Sequence, residues 1–370
     1  MSTKHAAFVR GYGLQGGAAR PIIAADGLRH PRFGGEPGRV YLSTPQGGAV
    51  SVLLDGTGRH AEPPAAEPVA TAGSEATPVS WRGDGTPIAW VRGMTLFRAG
   101  VGSAMDSTPL RVSVPRPHAV GTVVFRGAKV ITMRGEEIVA DADVVVRGER
   151  IAAIGARGTT TVPADARIID VSGKVIVPGF IDIHAHLAPR TELLEPEGTS
   201  SFANLAYGIT TVRDPQVHPD IFSISDIVEA DAVPAPRIFS TGPLIGLQST
   251  GMARDFQSLD EVRRAVRTYR DDYATRYLKS YLAGNRQQRQ WIVQARREMG
   301  IMPTTEGGAD TKEDLTHALD GYSGNEHAFP VAPIHDDMVQ FVAKSGITYT
   351  PTLVVAFGGA LPIYRLLAEE

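Results

Sequence analysis

Residues 178–187 read Pro-Gly-Phe-Ile-Asp-Ile-His-Ala-His-Leu, an apolar run that ends in a His-x-His pair. Successive side chains of a strand point to opposite faces. On a strand, Asp182, His184 and His186 therefore share one face, and Ile181, Ile183 and Ala185 the other. Two imidazoles then converge on one point with a carboxylate close behind. Imidazole suits zinc and its neighbours among the divalent ions, so the pattern is the beginning of a metal site with supporting groups behind it. A His-x-His also arises by chance on ordinary strands, and its surroundings have to decide.

The preceding stretch, from Gly121, runs GTVVFRGAKVITMRGEEIVADADVVVRGERIAAIGARG. It predicts short strands at Thr122–Phe125, Lys129–Met133, Ala142–Val146 and Ile151–Ile154, separated by glycine-bearing turns. Ile168–Asp170 and Lys174–Val177 follow, up to Pro178-Gly179. A small β-module that leads directly into a strand ending in His-x-His resembles the amidohydrolase superfamily. In that family a β-sandwich precedes a (β/α)8 barrel, and the first barrel strand carries the two histidines.

The resemblance extends downstream. Ala206–Asp214 looks like the second barrel strand, Pro236–Pro243 the third and Thr275–Leu282 the fourth. By parity Tyr277, Lys279 and Tyr281 face one way on that fourth strand, and a lysine aimed into a barrel interior needs a reason. The family supplies one: the lysine amine adds CO2, and the resulting carbamate bridges two metal ions. A desolvated lysine near cations readily gives up the proton that keeps its amine from reacting. The plainer reading is a strand-end lysine reaching water. Gly300–Gly308 is the expected fifth strand, and here the chain departs from the commoner pattern, with Glu306 where a histidine is usual. Glutamate is a competent oxygen ligand for zinc or manganese, although a turn carboxylate bonding the backbone would look the same. Gly324–Phe329 is the sixth strand, with His327 at the family's second downstream histidine, and Ile347–Val355 the seventh, with Thr350 and Thr352 bordering a substrate pocket.

The family places an aspartate at the end of an eighth strand. After His327 the chain offers only Asp336 and Asp337, in a polar, helix-like stretch from His335 to Lys344. The expectation is therefore an incomplete barrel lacking strand 8, and a fragment that is not active by itself.

Towards the start, Phe33 and Trp81 lie 48 positions apart, as do Val40 and Ile88, while Val52 and Phe97 lie 45 apart. Short strands such as Arg39–Ser43, Ala49–Leu54, Pro87–Val91 and Met94–Ala99, repeated near 45 residues, are the pattern of β-propeller blades. The segment is similar to Tol-type propellers of periplasmic proteins. Residues 57–77, rich in Ala, Pro and Glu, read as a connection or a blade insertion. The predicted fold class is α/β, with a partial β-propeller over 1–117, a β-sandwich module over 118–178 and the incomplete TIM-type barrel over 179–370.

Composition sets outer bounds. The 370 residues are 42% hydrophobic with a net charge of −3, and no basic stripe invites nucleic acid. Forty glycines and 26 prolines suit turn-rich β structure. With no cysteine, disulfides and thiolate zinc sites are excluded, and a metal must be held by His, carboxylates or modified Lys. No apolar run is long enough for a membrane span, and residues 1–10 lack the apolar core of a signal peptide. The location is left open between the cytoplasm and, for an exported parent protein, the periplasm. A homo-oligomer is equally open.

The resemblance implies a metal-dependent hydrolase that acts on C–N bonds of a small-molecule substrate through an activated water, with a dipeptide or an imidazolone-like ring among the candidates. One or two zinc ions, or manganese, are the implied cofactor. His184, His186, Lys279, Glu306 and His327 are the implied ligands, Asp182 stands behind them, and Tyr281 is the candidate to orient substrate. A metal-dependent esterase or phosphotriesterase and a non-catalytic binding module are the alternatives.

Overall fold

In a computed structural model, the described residues are 105–111, 113–187, 199–215, 220–246, 256–281, 283–307 and 310–352, preceded by separate segments between 6 and 99. Their contacts define two compact units. One takes in the strands before residue 112 with 214–223 and the residues from 240 onward, and the other takes in 113–213 and 224–239.

The first unit contains two four-stranded antiparallel meanders. One runs in order through Arg29–Phe33, Arg39–Ser43, Gly48–Leu53 and Glu67–Thr71, the other through Ser80–Trp81, Ile88–Arg92, Thr95–Ala99 and Asp106–Pro109. Both repeat the strand, turn, strand spacing of the sequence. One expectation is corrected: Glu67–Thr71 falls inside the stretch read as a connection, yet it pairs antiparallel with Gly48–Leu53 as the fourth strand. Its Pro68 hid it, since proline weakens a strand signal except at a sheet edge, which is where this strand lies.

The same unit holds a five-stranded parallel sheet in the order Ile245–Gly246, Tyr277–Tyr281, Met302–Thr305, Gly324–Asn325, Thr348–Tyr349. Helices alternate with these strands: Leu259–Arg267, Arg286–Glu298, Thr311–Asp320 and Asp336–Ser345. Their starts are written locally. Ser258 accepts from the Glu261 amide, Asp310 from the Glu313 amide, and Asn285 and Gln288 form a reciprocal capping box. One face of Leu259–Arg267 (Val262, Ala265, Val266) and one of Arg286–Glu298 (Ile292, Ala295) pack with Ile245, Leu278 and Ile301 into the main core. Arg286–Glu298 also buries Arg296 completely; its Nη1 donates to the Thr304 carbonyl at 3.3 Å, and burial lowers its pKa to about 10 against the opposing pull of Tyr322 and Tyr269.

The second unit is a mixed five-stranded sheet and three further strands. In the sheet Arg150–Ala156, Ile138–Arg147, Thr122–Ile131 and Arg167–Asp170 lie in that order, with Val175–Ile176 also paired to Thr122–Ile131. The two short runs expected on either side of Gly127 are one strand, whose register shifts between Arg126 and Ala128. A bulge, not a turn, absorbs the glycine. Ala128, Val130, Ala142 and Val144 form its core. The three remaining strands, Phe180–Asp182, Ile209–Asp214 and Arg237–Ser240, are neighbours in that order, the first two parallel.

Strands thus occur at the expected positions with helices between them, as one three-stranded and one five-stranded sheet among the described residues. They are shorter than the sequence suggested. The sixth is Gly324–Asn325 and the seventh Thr348–Tyr349. Leu282, Gly308 and residues 353–355 of the expected strands lie outside the described residues.

Candidate metal centre

The parallel strands carry their chemistry at their C-terminal ends, where active sites of such α/β folds lie. Lys279 is the third residue of Tyr277–Tyr281, Glu306 directly follows Met302–Thr305, and His327 stands two residues after Gly324–Asn325. Because Leu278 belongs to the helix-facing core, Lys279 leaves the strand from the opposite face. It is fully buried, and its ammonium is in contact with the Glu306 carboxylate. The other Glu306 oxygen contacts Nε2 of His327. Three groups read separately from the sequence are therefore one cluster, with Glu306 bridging a cation and an imidazole.

Backbone bonds hold the three in register. The Glu306 amide donates to the Ser280 carbonyl at 2.9 Å, and the Glu326 amide to the Thr305 carbonyl at 2.9 Å. Asn325 Nδ2 donates to the His327 carbonyl at 2.9 Å.

The histidine pair departs from the strand-parity reading. The strand ends at Asp182, and a turn follows at Ile183 and His184. The Asp182 carboxylate accepts from the His184 amide at 2.9 Å, an Asx-type turn that redirects the chain. From there Ala185 donates to the Arg213 carbonyl at 3.1 Å and Arg213 Nε to the Ile183 carbonyl at 2.9 Å, which docks the turn against the neighbouring strand. The two imidazoles still stand side by side, ring centroids 5.2 Å apart and planes at 74°. Asp182 shapes this turn.

Tyr281 ends the strand that carries Lys279, half-buried. Thr350 donates its amide to Asn325, and the Thr352 hydroxyl donates to the Glu326 carbonyl at 3.1 Å. Asp336 and Asp337 lie in the first turn of a helix.

Three buried groups escaped the sequence reading. Glu326 is fully buried beside His327, and the Thr304 hydroxyl donates to its carboxylate. Asp214, also fully buried, ends Ile209–Asp214. Neither acid falls in a ligand-spaced motif. The available signal was Asn-Glu-His itself, a carboxylate where a strand end should be apolar.

No family model matches the chain. It is 27% identical over 117 residues to an adenine deaminase of Paracoccus denitrificans (strain Pd 1222), a match covering 31% of this chain and 19% of that protein. It is 33% identical over 107 residues to a dihydroorotase of Anaeromyxobacter dehalogenans (strain 2CP-C), covering 27% of this chain and 24% of that protein. The matches thus span about a fifth to a quarter of the length of these curated relatives. Among solved structures, molinate hydrolase is similar with a TM-score of 0.54 at 20% identity, over 62% of this chain and 63% of that one. Phenylurea hydrolase B is similar with a TM-score of 0.53 at 18% identity, over 68% and 73%. The structural likenesses show a shared α/β fold.

Proposed function

We propose that this chain carries the metal site of an amidohydrolase, a hydrolase that cleaves a C–N bond of an amide, peptide or cyclic amide. The observation that carries the reading is the convergence of Lys279, from the middle of its strand, with Glu306 and His327, just past the ends of the next two parallel strands. A cluster that sets a fully buried lysine against a half-buried carboxylate has little structural value, since replacing a buried ion pair by apolar residues is often neutral or stabilising.

The donor set fits a divalent ion. Glu306 and His327 bring a carboxylate oxygen and an imidazole, ligand types that hold zinc in the absence of thiolate, and His184 and His186 are the further ligands that the His-x-His pattern implies. An ion bound there supplies Lewis acidity, polarising a substrate carbonyl and lowering the pKa of water beside it. In this reading Glu306 would hold the ion in place of its pairing with Lys279 and His327, and the Asp182 turn would fix the backbone at His184. Tyr281 orients substrate at the strand end. The two antiparallel meanders support a propeller-like domain over 1–117, ahead of a β-module over 118–178 and the hydrolase region from 179.

The test is hydrolysis of dipeptides, N-acyl amino acids, cyclic amides, aminopurines, lactones and organophosphates by the metal-free chain reconstituted with zinc or manganese, with products followed by mass spectrometry. Cleavage confined to C–N substrates supports the proposal. Turnover of lactones or organophosphates alone moves the chain to the ester-cleaving class, and no metal uptake refutes the site.

A further inference from the structure

We infer that Thr304 and Glu326 form a staple that positions the metal-binding strand ends. The inference rests on the metal reading above. Thr304 lies two residues before Glu306, and Glu326 immediately before His327. The Thr304 hydroxyl donates to the Glu326 carboxylate, so one side-chain bond joins the two strand ends from which the Glu306 and His327 side chains depart. Both partners are essentially without solvent exposure.

Each half of the staple is itself fixed. The Thr304 carbonyl accepts from the buried Arg296 at 3.3 Å, and its hydroxyl lies 3.3 Å from the Gly324 carbonyl. The Glu326 backbone is tied to Thr305 through its amide and to the Thr352 hydroxyl through its carbonyl. Gly324 leaves the space the contact needs: a Cβ there would stand 2.9 Å from the Thr304 hydroxyl oxygen, closer than such contacts allow. An ordinary buried threonine requires none of this. Groups that hold metal ligands in place commonly change metal affinity by about 10- to 100-fold when removed, so Thr304 and Glu326 act as positioning residues, without themselves ligating.

The experiment measures zinc affinity of the metal-free 370-residue chain by competition with a chromophoric chelator, alongside its thermal midpoint without metal. Thr304→Val should weaken zinc binding by about 10- to 100-fold, while Thr304→Ser, which keeps the hydroxyl, should bind as the parent does. Thr304→Val also removes a hydroxyl donor from a buried carboxylate, which by itself destabilises. The double variant Thr304→Val/Glu326→Met removes both partners and should recover the thermal midpoint but not the zinc affinity. Recovery of both together would show an effect of stability alone and overturn the inference. Unchanged zinc affinity in Thr304→Val, or in the double variant should the single one not fold, overturns it as well. Absence of stoichiometric zinc in the unmodified chain instead defeats the metal reading, and the staple with it.

Discussion

At the residue scale, the site is a problem of too many charges in too little water. Lys279 and Glu306 in contact pair a fully buried ammonium with a half-buried carboxylate, and their mutual attraction offsets the lost hydration only while both partners remain. Carboxylation of Lys279 would turn the cation into an anion facing another anion, a state that requires a cation between them. Lys279 should therefore gain the 44 Da of CO2 only with zinc or manganese present, as read by native mass spectrometry, and Lys279→Ala should recover part of any activity with added short-chain carboxylic acids; an unmodified lysine in the metal-loaded chain contradicts this. The adjacent imidazoles of His184 and His186 lead to a second expectation, that the double alanine variant loses stoichiometric zinc. Full occupancy in it would remove the pair from the site. A third concerns His317, buried against Tyr322, whose pKa is lowered to about 4 by burial and by the charge of Arg289, against Asp320. Its unfolded value near 6.5 is higher, so the unfolded chain binds the extra proton first. The stabilisation from keeping this ring neutral is fully present above pH 6.5 and lost as pH falls towards 4, roughly 3–4 kcal/mol in all. Urea titrations across that window should show a shallower acid limb in His317→Gln than in the parent.

At the element scale, local signals and tertiary context divide the work. The capping box of Asn285 and Gln288 is written in the sequence, and Asn285→Ala should lower stability by about 1 kcal/mol in chemical denaturation without touching the site. A loss below experimental error would mean that packing of Ile292 and Ala295 alone sets the helix start. Much of the fold was legible: the run up to Asp182, the helix after His335 and the repeat of short strands near 45 residues follow from periodicity and turn residues, while the lysine strand follows from the family resemblance. The failures are equally physical. Strand parity was extended to His184 and His186 although Asp182, a residue that readily bonds a nearby amide, ends the strand. Gly127 reads as a turn because the sequence does not tell a bulge from a reversal. Glu67–Thr71 was lost to its proline. The ligand types at 279, 306 and 327 were visible, but not that Glu306 would bridge the other two, since that contact depends on the stagger of three strands.

At the scale of the whole molecule, binding is the largest available source of added stability. A ligand that binds only the native state at 100 times its dissociation constant contributes about 2.7 kcal/mol. Zinc should accordingly raise the thermal midpoint of the metal-free chain in proportion to the logarithm of its concentration, and EDTA should reverse the shift. A midpoint indifferent to zinc would indicate that the folded chain has no preferred site. The absence of cysteine sharpens this measurement, because the unfolded chain has no thiolates with which to compete for the metal.

The close approach of two neighbouring strands carries a last consequence. Gly246 sits in the strand beside Tyr277–Tyr281 with a φ of +139°, and a Cβ there would run into the carbonyl oxygen of Tyr281. Any other residue would have to prise the sheet apart beside the strand that bears Lys279. In a saturation library scored for zinc uptake, position 246 should be a column with one survivor, whereas Gly300, with nothing near its Cβ position, should accept asparagine. The sheet edge next to the lysine is thus a place where drift in sequence is barred by the backbone itself, with no ligand involved.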